Sequence, residues 1–142
     1  MRPAEIAELV AWITAIDFAA WPQQHRLEDG LIRPAMVTDL AWHGFGKMTD
    51  ALVASLTPSG FTARQRMLSV VMPGHSIPRH ADEQPDSFRC RVHVPLTTND
   101  RATFNGGHMA LGFAHEIDTR VPHEVVNAGA TPRIHLMFDI HV

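Results

Sequence analysis

The chain has 142 residues, 45% of them hydrophobic and 19% charged, with a formal net charge of −3. That is the composition of one globular domain large enough to bury a core. Without a block of lysine or arginine, nucleic acid is excluded as the default partner, and a single cysteine, Cys90, excludes an intrachain disulfide and suits a reducing, cytoplasmic setting. No apolar run is long enough to span a bilayer, and Glu5, Glu8 and Asp17 interrupt the N-terminal apolar residues where a signal peptide has an unbroken core.

Residues 3–20 place Ile6, Leu9, Val10, Ile13 and Ile16 at helical spacing, which predicts an amphipathic helix ended by Trp21-Pro22. Residues 23–44 have no clean period. Asp29-Gly30 and Arg33-Pro34 are turn chemistry, with short edge strands expected around residues 31–40. A second helix is expected over about residues 47–56, capped near Thr49 and stopped by Pro58 and Gly60. After Gly60 the pattern becomes β, with strands expected over 64–72, 88–96, 109–118, 123–126 and 133–142 and turn-forming residues between them. One domain spanning 1–142 follows, with residues 1–60 a helical support region and 61–142 a β core. Its expected class is mainly β with N-terminal helices, as a β-sandwich or jelly roll with the helices packed on one outer face.

Two strands carry a pattern that core packing alone does not require. Around residue 91, Cys90, Val92, Val94 and Leu96 share one face and Arg89, Arg91 and His93 the other. In the last strand Ile134, Leu136, Phe138 and Ile140 alternate with Arg133, His135, Met137 and Asp139. Side chains alternate faces along a strand, so each strand has an apolar side and a side dense in charge and imidazole. A half-exposed sheet is the common explanation of such alternation. Solvated faces, however, are usually built from Thr, Lys, Glu and Ser, whereas Arg, His and Asp are natural in a metal and carboxylate pocket. His123 and Arg133 flank the turn at 127–132 at an even separation, so a hairpin there sets them on one face, opposite or one diagonal apart.

His80, Asp82 and the distant His123 make up a His-x-Asp…His set. Two imidazoles and one carboxylate suit a mononuclear non-haem iron(II) site with open coordination positions, and zinc can take the same ligands. Arg133, ten residues beyond His123, points to iron, because a hydrolytic zinc site has no need of a carboxylate clamp. The chain holds ten histidines; of the others, His75, His108, His115 and His141 have no supporting motif and are read as surface or structural residues. Asn127 is read as a turn former, His135 as a buried or hydrogen-bonded ring, and Asp139 as a network anchor or a strand end.

The stretch from Met67 to Asp139 resembles the aspartyl/asparaginyl β-hydroxylase family of Fe(II)/2-oxoglutarate oxygenases. The resemblance rests on Pro73-Gly74-x-x-Ile77-x-x-His80-x-Asp82, Arg91-x-His93-x-Pro95-Leu96-x-Thr98-Asn99, His123-x-x-x-Asn127 and Arg133-Ile134-His135-Leu136-x-x-Asp139, in that order. It covers about half the chain, and residues 1–60 contribute no motif to it.

The resemblance implies a double-stranded β-helix (a cupin-like jelly roll) in which His80, Asp82 and His123 bind iron. It implies that Arg133 pairs with the far carboxylate of 2-oxoglutarate and that His93 approaches the other carboxylate. Arg91 is then placed to hold a carboxylate or carbonyl of the prime substrate. The activity implied is dioxygen-dependent hydroxylation of a small-molecule or peptidyl amino acid, carboxylate-bearing on the strength of Arg91, with release of succinate and CO₂. Some family members lack the acidic ligand; Asp82 retains it, which favours hydroxylation over halogenation. No nucleic acid or membrane partner is expected, and so short a chain allows a homo-oligomer to complete the pocket. The alternatives are a non-catalytic jelly-roll protein that binds metal or carboxylate, and a zinc or manganese cupin-type hydrolase or isomerase.

Overall fold

The computed structural model describes residues 45–142, the backbone of the strand Ile32–Met36, and residues 7, 8 and 11, which are helical. The rest of the helix expected over 3–20, the turn at Asp29-Gly30, and Trp12, Trp21 and Trp42 lie outside the described residues. The elements are β1 (Ile32–Met36), α1 (Phe45–Leu56), β2 (Thr62–Val71), β3 (Ser76–His80), β4 (Phe88–Thr97), β5 (Ala102–Phe104), β6 (His115–Ile117), β7 (His123–Asn127) and β8 (Arg133–His141). They form a five-stranded sheet in the order β1-β2-β8-β4-β6 and a three-stranded sheet in the order β3-β7-β5, with every pairing antiparallel. The fold is thus mainly β, as expected. No helix among the described residues is long and apolar enough to cross a membrane.

Helix α1 begins earlier than the sequence suggests. Thr49 is not its cap but an interior position, wholly buried, whose hydroxyl accepts a 2.8 Å bond from Arg66 Nη1. Thr49, Leu52, Val53 and Leu56 recur at helical spacing, and Leu52, Val53 and Leu56 join the cluster on one face of the large sheet. That cluster contains Leu68 and Val70 of β2, Val92, Val94 and Leu96 of β4, and Ile134, Leu136, Phe138 and Ile140 of β8. The register explains it, since Leu68 and Val94 both face Leu136, and Val92 faces Phe138.

The other face of the large sheet is polar, yet it is not solvated. All nine residues of β8 are buried, those on the Arg133, His135, Asp139 side included. The three-stranded sheet faces this side. Val71 of β2 packs with Val125, Ile77 and Phe104 of the small sheet, and the His93 ring meets Phe104 edge-on at 5.9 Å. His93 Nδ1 lies 3.2 Å from His135 Nδ1, so one ring donates and the other accepts. Both rings are held well below the ordinary imidazole range, first by burial and then by the Arg133 charge.

Several expectations need correction. The hairpin between His123 and Arg133 does not form: β7 pairs with β3 and β5, β8 with β2 and β4, and the 127–133 turn carries the chain from one sheet to the other. Asn127, wholly buried, fastens that crossing. Its amide donates to Val71 O at 2.8 Å and Thr131 O at 2.9 Å, and its carbonyl oxygen accepts from Gly129 N and Asn99 Nδ2, each at 3.1 Å. A Cβ on Gly129 would overlap the Asn99 side chain, which this network holds in place. The strand expected over 109–118 shrinks to β6, with Gly112 at φ +83° and Leu111 and Phe113 exposed before it. Arg33-Pro34 is not a turn but lies in the edge strand β1, whose register shifts between Ile32 and Ala35, where Pro34 has no N–H to give.

Two outcomes follow for stability. Asn127→Ala strands the buried Val71 carbonyl and should lower unfolding free energy by about 1–3 kcal/mol in urea titration. The second concerns acid. Below pH 6.5 the unfolded chain takes up protons that folded His93 and His135 refuse, so stability falls as pH drops, by up to ~1.4 kcal/mol per pH unit per ring. Urea midpoints at pH 7.5 and 5.5 measure this; equal midpoints would mean that the two rings titrate normally.

Candidate functional site

His80 is the last residue of β3 and His123 the first of β7, and the two are cross-strand partners. A register shift between Ile77 and His80 brings them opposite, at the point where Pro78 cannot donate to the ladder. Their ring centroids are 4.4 Å apart. Each Nδ1 sits on a backbone carbonyl, His80 on Pro78 O at 2.7 Å and His123 on Val121 O at 2.9 Å. A ring whose Nδ1–H donates to a carbonyl leaves Nε2 as a bare lone pair, the state a metal ligand needs. Phe104 stacks on His123, with ring centroids 5.5 Å apart, and fixes its plane.

Asp82 is not on the strand with His80 but in the coil after it. Its backbone N–H donates to Thr119 O at 2.8 Å, and its Oδ1 is 3.4 Å from His80 Nε2. Sequence reasoning gave Thr119 no part in the site, because a backbone carbonyl leaves no signature in residue type. One ligand atom each from His80, Asp82 and His123 fall within 4.8 Å of one another. His123 is buried, while the His80 and Asp82 side chains retain 42% and 25% of their exposure, so the cluster sits at the rim of the interior and one side stays open.

The large sheet supplies the remaining residues. Arg91 and Asp139 are register partners. Arg91 Nε and Nη2 donate to the two Asp139 oxygens at 2.6 and 3.0 Å, and Nη1 donates to Asp82 Oδ2 at 2.9 Å. Burial opposes the Arg91 charge, but the bonds and charges of Asp139 and Asp82 outweigh it and raise its pKa above the usual arginine value. The guanidinium expected to meet a substrate carboxylate is therefore taken up within the protein, and the Asp139 oxygens are the partners that its strand position left undecided.

Arg133 is the opposite case. It is 2% exposed, no carboxylate among the described residues pairs with it, and its Nη2 is buried without a hydrogen-bond partner. Burial alone pulls its pKa down to about 10, so it remains a cation at neutral pH. His93 lies within electrostatic reach of both Arg133 and His123. His123 and Arg133 thus lie on different sheets, with His93 the residue on which both act.

His115, read as structural or surface, borders a cavity of about 420 Å³ that opens on His123 and is also walled by Phe104, Met109, Glu116 and Asp118. Asp118 is paired to Arg120 by two side-chain bonds. Of the other unassigned histidines, His141 holds Ser87 Oγ at 3.0 Å and His108 approaches Ala102 O, away from the cluster.

An oxidoreductase of the 2OG-Fe(II) oxygenase family from Burkholderia pseudomallei has a similar fold, with a TM-score of 0.62 and 17% identity over 99% of this chain and 80% of that one. A prolyl-4-hydroxylase from Pseudomonas putida aligns at TM-score 0.46 and 20% identity, covering 99% of this chain and 88% of its own. No curated protein matches at the level of sequence. The sequence profile of the aspartyl/asparaginyl β-hydroxylase family matches residues 45–142, the span that holds α1, both histidines, Asp82 and Arg133. The chain therefore belongs to the aspartyl/asparaginyl β-hydroxylase family, and it is a hydroxylase that works with Fe(II), 2-oxoglutarate and dioxygen.

Proposed function

We propose that the protein hydroxylates an amino acid, free or within a peptide, at a metal held by His80, Asp82 and His123. The observation that carries this reading is Arg133. A buried guanidinium with no carboxylate partner among the described residues is costly, and it becomes favourable once a carboxylate supplies two charge-assisted bonds. A dicarboxylate that chelates a metal at one end and reaches Arg133 with the other is the ligand this pairing fits. 2-Oxoglutarate is that ligand.

The donor set suits Fe(II): two Nε2 atoms freed by their backbone-bonded Nδ1 partners, and one carboxylate, with an open face. Bound there, iron would supply the oxidising chemistry by which dioxygen gives one oxygen atom to a substrate C–H, making C–OH, and the other to 2-oxoglutarate, which yields succinate and CO₂. The chain's own part is to orient and to exclude water. Arg133 anchors the far carboxylate of the cosubstrate, and His93, kept neutral by burial, offers its remaining nitrogen to the near one. Phe104 holds the His123 plane. No side-chain base is needed.

The two antiparallel sheets are read as a double-stranded β-helix. The cavity bordered by His123, His115 and Glu116 is the natural place for the prime substrate, since it opens on the metal ligand. Nothing in this reading now calls for a carboxylate on that substrate. The expectation of one rested on Arg91, which is committed to Asp82 and Asp139.

Under anaerobic conditions Fe(II) and 2-oxoglutarate should give a weak visible charge-transfer band, and Asp82→Ala should abolish substrate-coupled succinate formation. Activity that survives this change would show the ligands to be misassigned. Arg133→Met separates cosubstrate binding from folding. It should weaken 2-oxoglutarate binding roughly 100-fold or more by calorimetry, while the melting temperature of the metal-free protein stays level or rises, because a buried charge with no carboxylate partner among the described residues has been removed.

A further inference from the structure

We propose that Arg91 and Asp139 form a fixed arm whose role is to set the Asp82 carboxylate in place for the metal. The inference rests on the ligand set proposed above. Asp82 sits in a coil outside either sheet, and a carboxylate at 25% exposure there is free to turn about its side-chain bonds unless something holds it. Its backbone is fastened to Thr119 O, and the only side-chain donor on its Oδ2 among the described residues is Arg91 Nη1.

Arg91 can act as an arm because its own orientation is fixed. Asp139 is wholly buried in β8, directly across the ladder, and takes Nε and Nη2 in a bidentate contact. The guanidinium is planar, so once that edge is pinned the direction of Nη1 is determined. Through it the rigid centre of the large sheet reaches a loop beside the small sheet. With Oδ2 taken, Oδ1 is the oxygen left facing His80 Nε2. A carboxylate with one free oxygen ligates through that oxygen alone, which conserves open positions on the metal. Two rival roles exist for Arg91: an anchor for a substrate carboxylate, or a buried ion pair that serves folding only. Neither predicts an effect on metal binding in the absence of substrate.

Co(II) titration, followed by visible absorption and calorimetry without 2-oxoglutarate or substrate, separates them. Removing one partner of a buried pair leaves an uncompensated charge, so the variants are chosen to avoid that. The Arg91→Met/Asp139→Leu double variant replaces the pair by apolar side chains. Arg91→Lys keeps the charge facing Asp139 but loses the planar fork that spans both carboxylates. In whichever of these keeps its fold by circular dichroism, Co(II) affinity should fall roughly 10- to 100-fold, and the ligand-field bands should change shape. Wild-type affinity and bands in either folded variant overturn the arm and leave the metal site standing. A wild-type protein that shows no Co(II) bands overturns the ligand set, and the arm with it.

Discussion

The structure depends on one constraint: the inner face of the large sheet buries His93, Arg133, His135 and Asp139, with Arg91 half-buried beside them. A buried charge must be partnered, neutralised or left with a stated reason. Each residue on this face meets the constraint in its own way. Arg91 and Asp139 pair across the ladder. His93 and His135 are pushed toward their neutral forms, and one donates its Nδ1–H to the other. Arg133 alone keeps its charge without a partner among the described residues. The apolar layer that makes this tolerable lies on the opposite face, where α1 contributes Leu52 and Val53 to one continuous cluster with β2, β4 and β8.

The division of labour between the sheets follows. The small sheet supplies His80 and His123, brought together by a bulge at Pro78 on an edge strand, where a lost ladder bond is cheap. The large sheet supplies the charged residues on strands paired on both sides, where position is held by two neighbours. Asp82 belongs to neither sheet and is tied by Thr119 O, in the turn between β6 and β7, and by Arg91 of β4. Asn127 does the corresponding work for the backbone, because its amide spans from the end of β7 to the Val71 carbonyl of β2.

The polar and apolar faces of β4 and β8 were legible in the sequence, since alternation with period two is a local property that needs no knowledge of neighbours. The partners of those strands were not. Parity says which side a residue occupies, not which strand lies beside it, so β7 and β8, adjacent in sequence, were read as a hairpin although they belong to different sheets. The His-x-Asp…His set and Arg133 were visible by residue type and order, and the geometry brings the first three together. What holds Asp82 was invisible, because it depends on a backbone carbonyl and on a cross-strand pair 48 positions apart in the chain. β3 and β5 leave no such pattern for a plainer reason: β3 contains a proline and shows no apolar alternation, and β5 is three residues long. Helix α1 is legible, but its start is not, because Thr49 reads as a cap by type while its hydroxyl serves Arg66 from inside the helix.

The distribution of charge across the interior carries the argument one step further. Asp82, Arg91 and Asp139 are linked by hydrogen bonds, and together they carry one net negative charge at the rim, beside the His80 and His123 imidazoles. Arg133 carries one positive charge deeper in, 2% exposed. Between them His93 is pushed toward its neutral form by burial and by both arginines, so it adds no third charge. Neither pole is satisfied by the other, because the Arg91 arm already occupies the face of Asp82 turned to the large sheet. A lone anion would meet the negative rim, and a lone cation would leave Arg133 unpaired. An interior of this polarity is best matched by a cation at the rim together with a dianion that chelates it and extends to Arg133. This is why the metal and its cosubstrate are better understood as one ligand of the fold than as two.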